Sequence, residues 1–245
     1  MKLTHKQRAI LFSTVVMVMV STLSVFYVAP KQKNVPKIQG ITLKNAPSLA
    51  NFLLADHQGH PVRREYFLGQ WHFIAYGYTQ CPDICPTTLF TLTQVADLMA
   101  TLKHNSGTKF VFYTVDPNRD SQEILAQYIK YFSEEFIAIR ANTAAEAEIF
   151  QQSLGIKVDI ITAMEKGNEE GKRKDHTISD VLGNSKASSN NYQVNHGLAM
   201  YLINPEAKLQ AVFLPEITEL GVTAFDSELI LADYLRVIKY YQQTK

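Results

Sequence analysis

The 245-residue chain is 46% hydrophobic and 19% charged, enough apolar material for one substantial core and no reason to expect two. Its 24 basic and 23 acidic residues leave a net charge of +1 without a long basic run, so nothing electrostatic supports a nucleic-acid partner. Two cysteines exclude a disulfide scaffold and a four-cysteine zinc site, although two thiolates can still join one of the seven histidines around a metal.

Residues 9–29, AILFSTVVMVMVSTLSVFYVA, carry no charge. At about 1.5 Å per residue such a run spans ~31 Å, the thickness of a hydrocarbon core, and it predicts one N-terminal transmembrane helix. It is longer than a signal-peptide apolar region of about 7–15 residues and ends in VAP rather than small-x-small, which favours an anchor over a cleaved signal. Its methionines belong to the span, out of reach of a hydrated ion. Lys2, Lys6 and Arg8 precede the run and Lys31, Lys33 and Lys37 follow it, so the positive-inside count is near a tie. The head, residues 1–8, is too short for a domain, which puts the bulk of the chain outside the cytoplasm. No Arg-rich, Ser-rich amphipathic presequence precedes the run, and the expectation is a bacterial inner membrane protein facing the periplasm.

Residues 30–47 read as a tether, and the folded domain is expected over 48–245. ANFLLAD, HQGH and PVRREYF predict a β-hairpin, and WHFIAYGY a fully buried central strand. The helix TLFTLTQVADLMATL follows, with Leu89, Leu92, Val95, Ala96, Met99 and Leu102 along one face and Pro86 suited to the first helical position. KFVFYTVD is a second buried strand. Asp120 and Glu123 are spaced as a capping box for the helix SQEILAQYIKYF; FIAIRA is a short strand; Thr143 and Glu146 open the helix AAEAEIFQQSL, which Gly155 closes. Residues 159–195 lose the apolar pattern and read as a long mobile insertion. GLAMYLINPEAKLQAVFL gives two strands around an Asn-Pro turn, and DSELILADYLRVIKYY a final helix with Leu229, Ile230, Tyr234, Leu235 and Ile238 on its stripe. The order implies an α/β, thioredoxin-like mixed β-sheet flanked by helices on both faces.

Both cysteines lie in GYTQCPDICPTTL, directly after the first buried strand. A Cys81–Cys85 bridge would close a loop of about five residues and stabilise by only ~2 kcal/mol, a weak staple. At a helix N-terminus the macrodipole favours the thiolate that exchange chemistry and metal binding both need. The spacing admits a redox dithiol or half of a metal site. His196 stands in the loop where thioredoxin-like redox proteins usually carry proline, and two thiolates with one imidazole suit Cu(I), or Cu(II) with an added oxygen. His57 and His60 flank a turn glycine, His72 starts a strand and His176 falls in the insertion; none has the setting of a ligand.

GYTQCPDICPTTL, VDPNRDS and VNHGLAMYLINP together resemble the Sco/SenC family of membrane-anchored, thioredoxin-fold copper proteins, from about Ser48 to the C-terminus apart from the insertion. The resemblance implies copper held by Cys81, Cys85 and His196, and a metallochaperone role in assembling the binuclear copper centre of cytochrome c oxidase. It also implies a copper-receiving oxidase subunit and a thiol reductant protein as partners. Asp116 matches the family's DP motif at the C-terminal edge of a buried strand and is the candidate outer-sphere carboxylate; the alternative is a plain turn aspartate before Pro117. Two departures stand out: Asn195 where the family commonly has aspartate, and the length of 159–195. The competing function is a periplasmic thiol-disulfide reductase using Cys81 and Cys85 as its redox pair, which does not need His196. A thioredoxin-like peroxidase would need a proline and threonine arrangement ahead of its cysteine that is missing here.

Overall fold

The computed structural model describes residues 4–28, 34–82, 84–102, 107–162, 192–217, 221 and 223–245. It divides into two units, Met1–Asn34 and Val35–Lys245. The first contains α1 (His5–Val28). Its described apolar side chains, among them Ile10, Phe12 and Met17, are exposed. The span expected over 9–29 coincides with α1 up to Val28, and among the described residues no helix is long and apolar enough to cross a membrane.

The second unit is built around β4 (His72–Gly77), whose six residues are all buried. Alternation explains how one strand serves two cores. Phe73 and Ala75 join one apolar cluster, while Ile74 and Tyr76 join the other. The same division holds in β5 (Lys109–Thr114), with Phe110 and Phe112 against Val111 and Tyr113. Other strands are β1 (Gly40–Thr42), β2 (Leu53–Asp56), β3 (Pro61–Arg63), β6 (Ile137–Arg140), β9 (Met200–Ile203) and β10 (Leu209–Phe213). They form an eight-stranded sheet in the order β1-β10-β9-β4-β5-β6-β2-β3. β4, β5 and β6 run parallel and the remaining pairs antiparallel. Two small ladders stand apart, β7 (Val158–Thr162) with β8 (Tyr192–His196) and β11 (Glu216–Ile217) with β12 (Thr223–Ala224).

Helices α2 (Ile84–Thr101), α3 (Gln122–Phe132) and α5 (Ser227–Thr244) contribute to the cluster on one face of the sheet, through residues such as Leu92, Leu125 and Tyr234. On the other face α4 (Ala144–Leu154) packs Phe150 against Phe67 and Phe52. Each fully buried aromatic or aliphatic side chain there stabilises by about 1.5–3 kcal/mol.

The chain joins the sheet earlier than the tether reading expects, because β1 pairs with β10 at Gly40–Thr42. Three residues are too few for an alternating pattern to register. Leu102 lies past the end of α2 and is exposed. The buried stripe of α5 is centred on Ile230, Leu231, Tyr234 and Val237, and it includes Asp233, whose carboxylate accepts the Gln39 N–H at 2.6 Å. Thr143 and Glu146 form the reciprocal capping box, and Gly155 ends α4 at φ 72°. At α3 the cap is Ser121, which accepts the Ile124 N–H, and Asp120 turns inward instead. The expected insertion starts and finishes as the β7–β8 ladder; residues 163–191, including His176, lie outside the described residues.

Candidate metal centre

Where β4 ends, the chain turns sharply, with the Cys81 N–H donating to the Tyr78 carbonyl at 3.1 Å, and α2 begins at Ile84. The helix starts two residues earlier than the Pro86 expectation, so Cys85 is the second helical residue and Pro86 the third rather than the first, where a missing N–H still leaves no bond unmade. Cys81 is partly exposed and Cys85 is 2% exposed; they are not joined in a disulfide. Gly77 makes this packing possible. A Cβ there would collide with the Cys85 sulfur, so the last residue of β4 has to be bare.

The helix-terminus reading expects an acidified thiol, but the Cys85 thiol is pushed up instead. Its proximity to Cys81 is the largest cause and burial the next, and together they outweigh the opposing bond from the Tyr78 backbone. A metal at this site must therefore displace a firmly held proton, and its affinity should rise with pH.

The imidazole comes from the other side. In the β7–β8 ladder Val158 pairs with His196 and Asp159 with Asn195, so an exposed carboxylate lies opposite Asn195 on the neighbouring strand. The His196 Nδ1–H donates to the Gly197 carbonyl at 2.8 Å, leaving Nε2 toward the thiols, 3.7 Å from Cys85 Sγ. The Tyr76 and Tyr78 rings flank the imidazole, with centroids 5.3 and 5.9 Å away.

The ligand atoms of Cys81, Cys85 and His196 all lie within 4.8 Å of one another. For metal–sulfur and metal–nitrogen bonds of about 2.3 and 2.0 Å set 120° apart, the sulfur-to-nitrogen edge is ~3.7 Å. The observed 3.7 Å lies within reach of one ion, and the set of two soft sulfurs and one imidazole suits copper.

Asp116 does not belong to this group of three. Its buried carboxylate is paired with Arg119 and accepts the Tyr192 hydroxyl. Arg119 also lies over the Tyr192 ring at 4.0 Å and donates to the Tyr192 carbonyl at 3.1 Å. Asp120, fully buried, accepts the Thr79 N–H at 3.0 Å and the hydroxyls of Thr79 and Thr114 at 2.5 Å. Burial raises its pKa against those bonds. Gly77, Tyr76, Tyr78, Arg119, Asp120 and Tyr192 are thus site residues that sequence reading missed; the density of polar residues in VDPNRD hints at Arg119 and Asp120 alone.

Among the remaining histidines, His57 Nδ1 accepts the Ala138 N–H at 3.1 Å and ties the β2–β3 turn to β6. His60 pairs with Asp56, and His72 is buried with Nδ1 on the Gln70 carbonyl.

The model of the family described as SCO1/SenC matches residues 42–224. A mitochondrial SCO1 homolog of Mus musculus is 29% identical over 162 residues, 66% of this chain and 49% of that protein. An SCO2-like protein of Rickettsia felis is 29% identical over 160 residues, 64% of this chain and 65% of its own length. The chain thus spans about half of the first and under two thirds of the second. Arabidopsis thaliana ScoI, solved with copper bound, superposes with a TM-score of 0.58 at 24% identity, covering 78% of this chain and 98% of that one, a shared fold.

Proposed function

The chain belongs to the SCO1/SenC family, and from that premise we propose that it is a copper metallochaperone whose cargo is held by Cys81, Cys85 and His196. The observation that carries this reading is the convergence of two thiols and one imidazole nitrogen from two separate segments onto one point. A structural staple would need no histidine there. Copper supplies the exchangeable soft ion; the chain supplies the pocket, the fixed imidazole tautomer and a thiol, Cys81, exposed enough for an acceptor to approach. Asp116 acts in the outer sphere of that site. The recipient is the copper-receiving subunit of cytochrome c oxidase, whose binuclear centre needs the ion, with a thiol reductant protein keeping the pair reduced. Residues 9–29 anchor the chain, 30–39 link the anchor to the domain and 40–245, from β1 onward, carry the function, on the periplasmic side of a bacterial inner membrane.

The thiol-disulfide reductase reading has its own support in the proximity of the two sulfurs and their unequal exposure. One experiment separates the two. Full-length reduced protein in detergent should bind one Cu(I) per chain, and Cys81→Ser or Cys85→Ser should each abolish tight binding with little change in Tm. His196→Ala should weaken Cu(II) about a hundredfold and Cu(I) less, and should keep the Cys81/Cys85 potential within ~30 mV of the parent. If His196→Ala binds Cu(II) like the parent yet fails to mature the oxidase, the reductase reading takes over.

A further inference from the structure

The turn between β5 and α3 lies outside the ligand set, yet its carboxylates reach toward both sources of ligands. Asp120 faces the cysteine segment. It holds the Thr79 N–H at 3.0 Å and the Thr79 hydroxyl at 2.5 Å, two residues ahead of Cys81, while the Thr114 hydroxyl fixes it from the floor at 2.5 Å. Asp116 faces the hairpin. It accepts the Tyr192 hydroxyl and pairs with Arg119, and Arg119 covers the Tyr192 ring and binds its carbonyl. Tyr192 begins the strand that ends in His196. The two carboxylates are themselves connected, since the Asp120 N–H donates to the Asp116 carbonyl at 3.0 Å and the Asp116 N–H to Thr114 Oγ1 at 3.0 Å.

We propose that the Asp116–Asp120 turn is a two-armed positioning element, in which Asp120 through Thr79 sets the cysteine loop and Asp116 with Arg119 through Tyr192 sets the strand that delivers His196. It rests on the metal-centre reading for its purpose, but its geometry is present without metal. Buried carboxylates this well supplied with donors are costly to leave unpaired, so each arm resists opening. The device explains why Asp120 is not the α3 cap: its side chain is committed elsewhere. It also gives Asp116 a mechanical task in addition to any electrostatic one.

The arms can be cut singly, and both readouts are taken on the metal-free full-length protein in detergent. Thr79→Val removes one hydroxyl from Asp120 at nearly constant volume, and Tyr192→Phe removes the hydroxyl from Asp116. The cysteine side is read by the alkylation rate of Cys85, a thiol exposed only through local opening. The hairpin side is read by the NMR shifts of the His196 ring, which the flanking rings of Tyr76 and Tyr78 displace from their free values.

Thr79→Val should speed Cys85 alkylation about tenfold, as expected for loss of a hydrogen bond to a charged group, with Thr79→Ser staying within about twofold of the parent. The His196 shifts should stay put in both. Tyr192→Phe should move the His196 shifts toward free-imidazole values and leave alkylation within about twofold. Thr108→Val serves as the control, because it cuts the remote Thr108–Tyr234 hydroxyl pair and lowers stability without touching either arm. The proposal is overturned if either variant moves both readouts together, or if neither moves a readout more than Thr108→Val does. Failure of the parent to bind copper would sink the proposed function and leave this test intact.

Discussion

Cys85 hangs from the junction of β4 and α2, where strand and helix are both buried against the sheet and the sulfur lies on a bare glycine. His196 arrives on a two-stranded ladder of its own, which among the described residues meets the rest of the domain through Val194 and Val158 at the core cluster, the Tyr192 contacts and two tyrosine rings. An isolated pair of strands is marginal in water, so the hairpin's position depends on those contacts. Close packing sets the Cys85 half; the histidine half is held by a small apolar anchor at Val194 and Val158 together with polar and aromatic contacts. The contrast is one of anchoring: the Cys85 sulfur is wedged by close packing, while the His196 nitrogen rests on a small element of its own.

The most severe way to break that contrast is to spoil the volume. Gly77→Ala forces the Cys85 sulfur aside; overpacking of this kind costs about 1–3 kcal/mol, and Cu(I) affinity should fall at least ~tenfold if the thiol cannot move without cost. Competitive Cu(I) titration with a melting curve checks both. Unchanged affinity and Tm would mean that the cysteine half is as adjustable as the hairpin.

Acid stresses the frame through the opposite end of β4. His72 is held down to about 4, first by burial and further by Lys109, although its bond to the Gln70 carbonyl acts the other way. Above the unfolded value near 6.5 both states are neutral and the group has no effect; below it the unfolded chain takes up a proton that the native fold refuses. Stability should therefore fall between pH 6.5 and 4, by about 3 kcal/mol at the lower end, and His72→Phe should flatten that slope in urea titrations. Equal slopes in parent and variant would remove His72 from the account.

The gentlest test touches the histidine half alone. Asn195→Asp adds a carboxylate beside His196 and directly across from Asp159, so attraction to a doubly charged ion is partly offset by like-charge repulsion. Cu(II) affinity should rise about threefold with Cu(I) unchanged. An equal gain for both ions would mean that the new carboxylate acts on the fold rather than on the metal.

What the sequence made legible follows the same division. The apolar run WHFIAYGY, the helical period after CPDICP and the caps around AAEAEIFQQSL are local patterns, and they identify the frame and the setting of Cys81 and Cys85, whereas His196 is legible only through its place before the GLAMYL strand and the family resemblance. Contacts between distant segments left no such trace. Nothing local says that Asp120 prefers Thr79 to the α3 N-terminus, or that Tyr192, at the far end of a stretch read as structureless, touches Asp116. Gly77 reads as an ordinary strand-end glycine until the sulfur above it is seen. The macrodipole argument for Cys85 failed because it counts position in the helix and not depth of burial or the second thiol alongside.

One consequence of the β4 environment concerns time rather than geometry. Hydrogen-bonded to β5 on one edge and β9 on the other, and covered on both faces, this strand belongs to the part of the domain whose amides exchange only when the whole fold opens. The three candidate ligands lie beyond that strand, with Cys81 partly exposed, Cys85 on the following helix and His196 on the β7–β8 ladder, so an ion there would exchange through local opening of those elements while β4 stays closed.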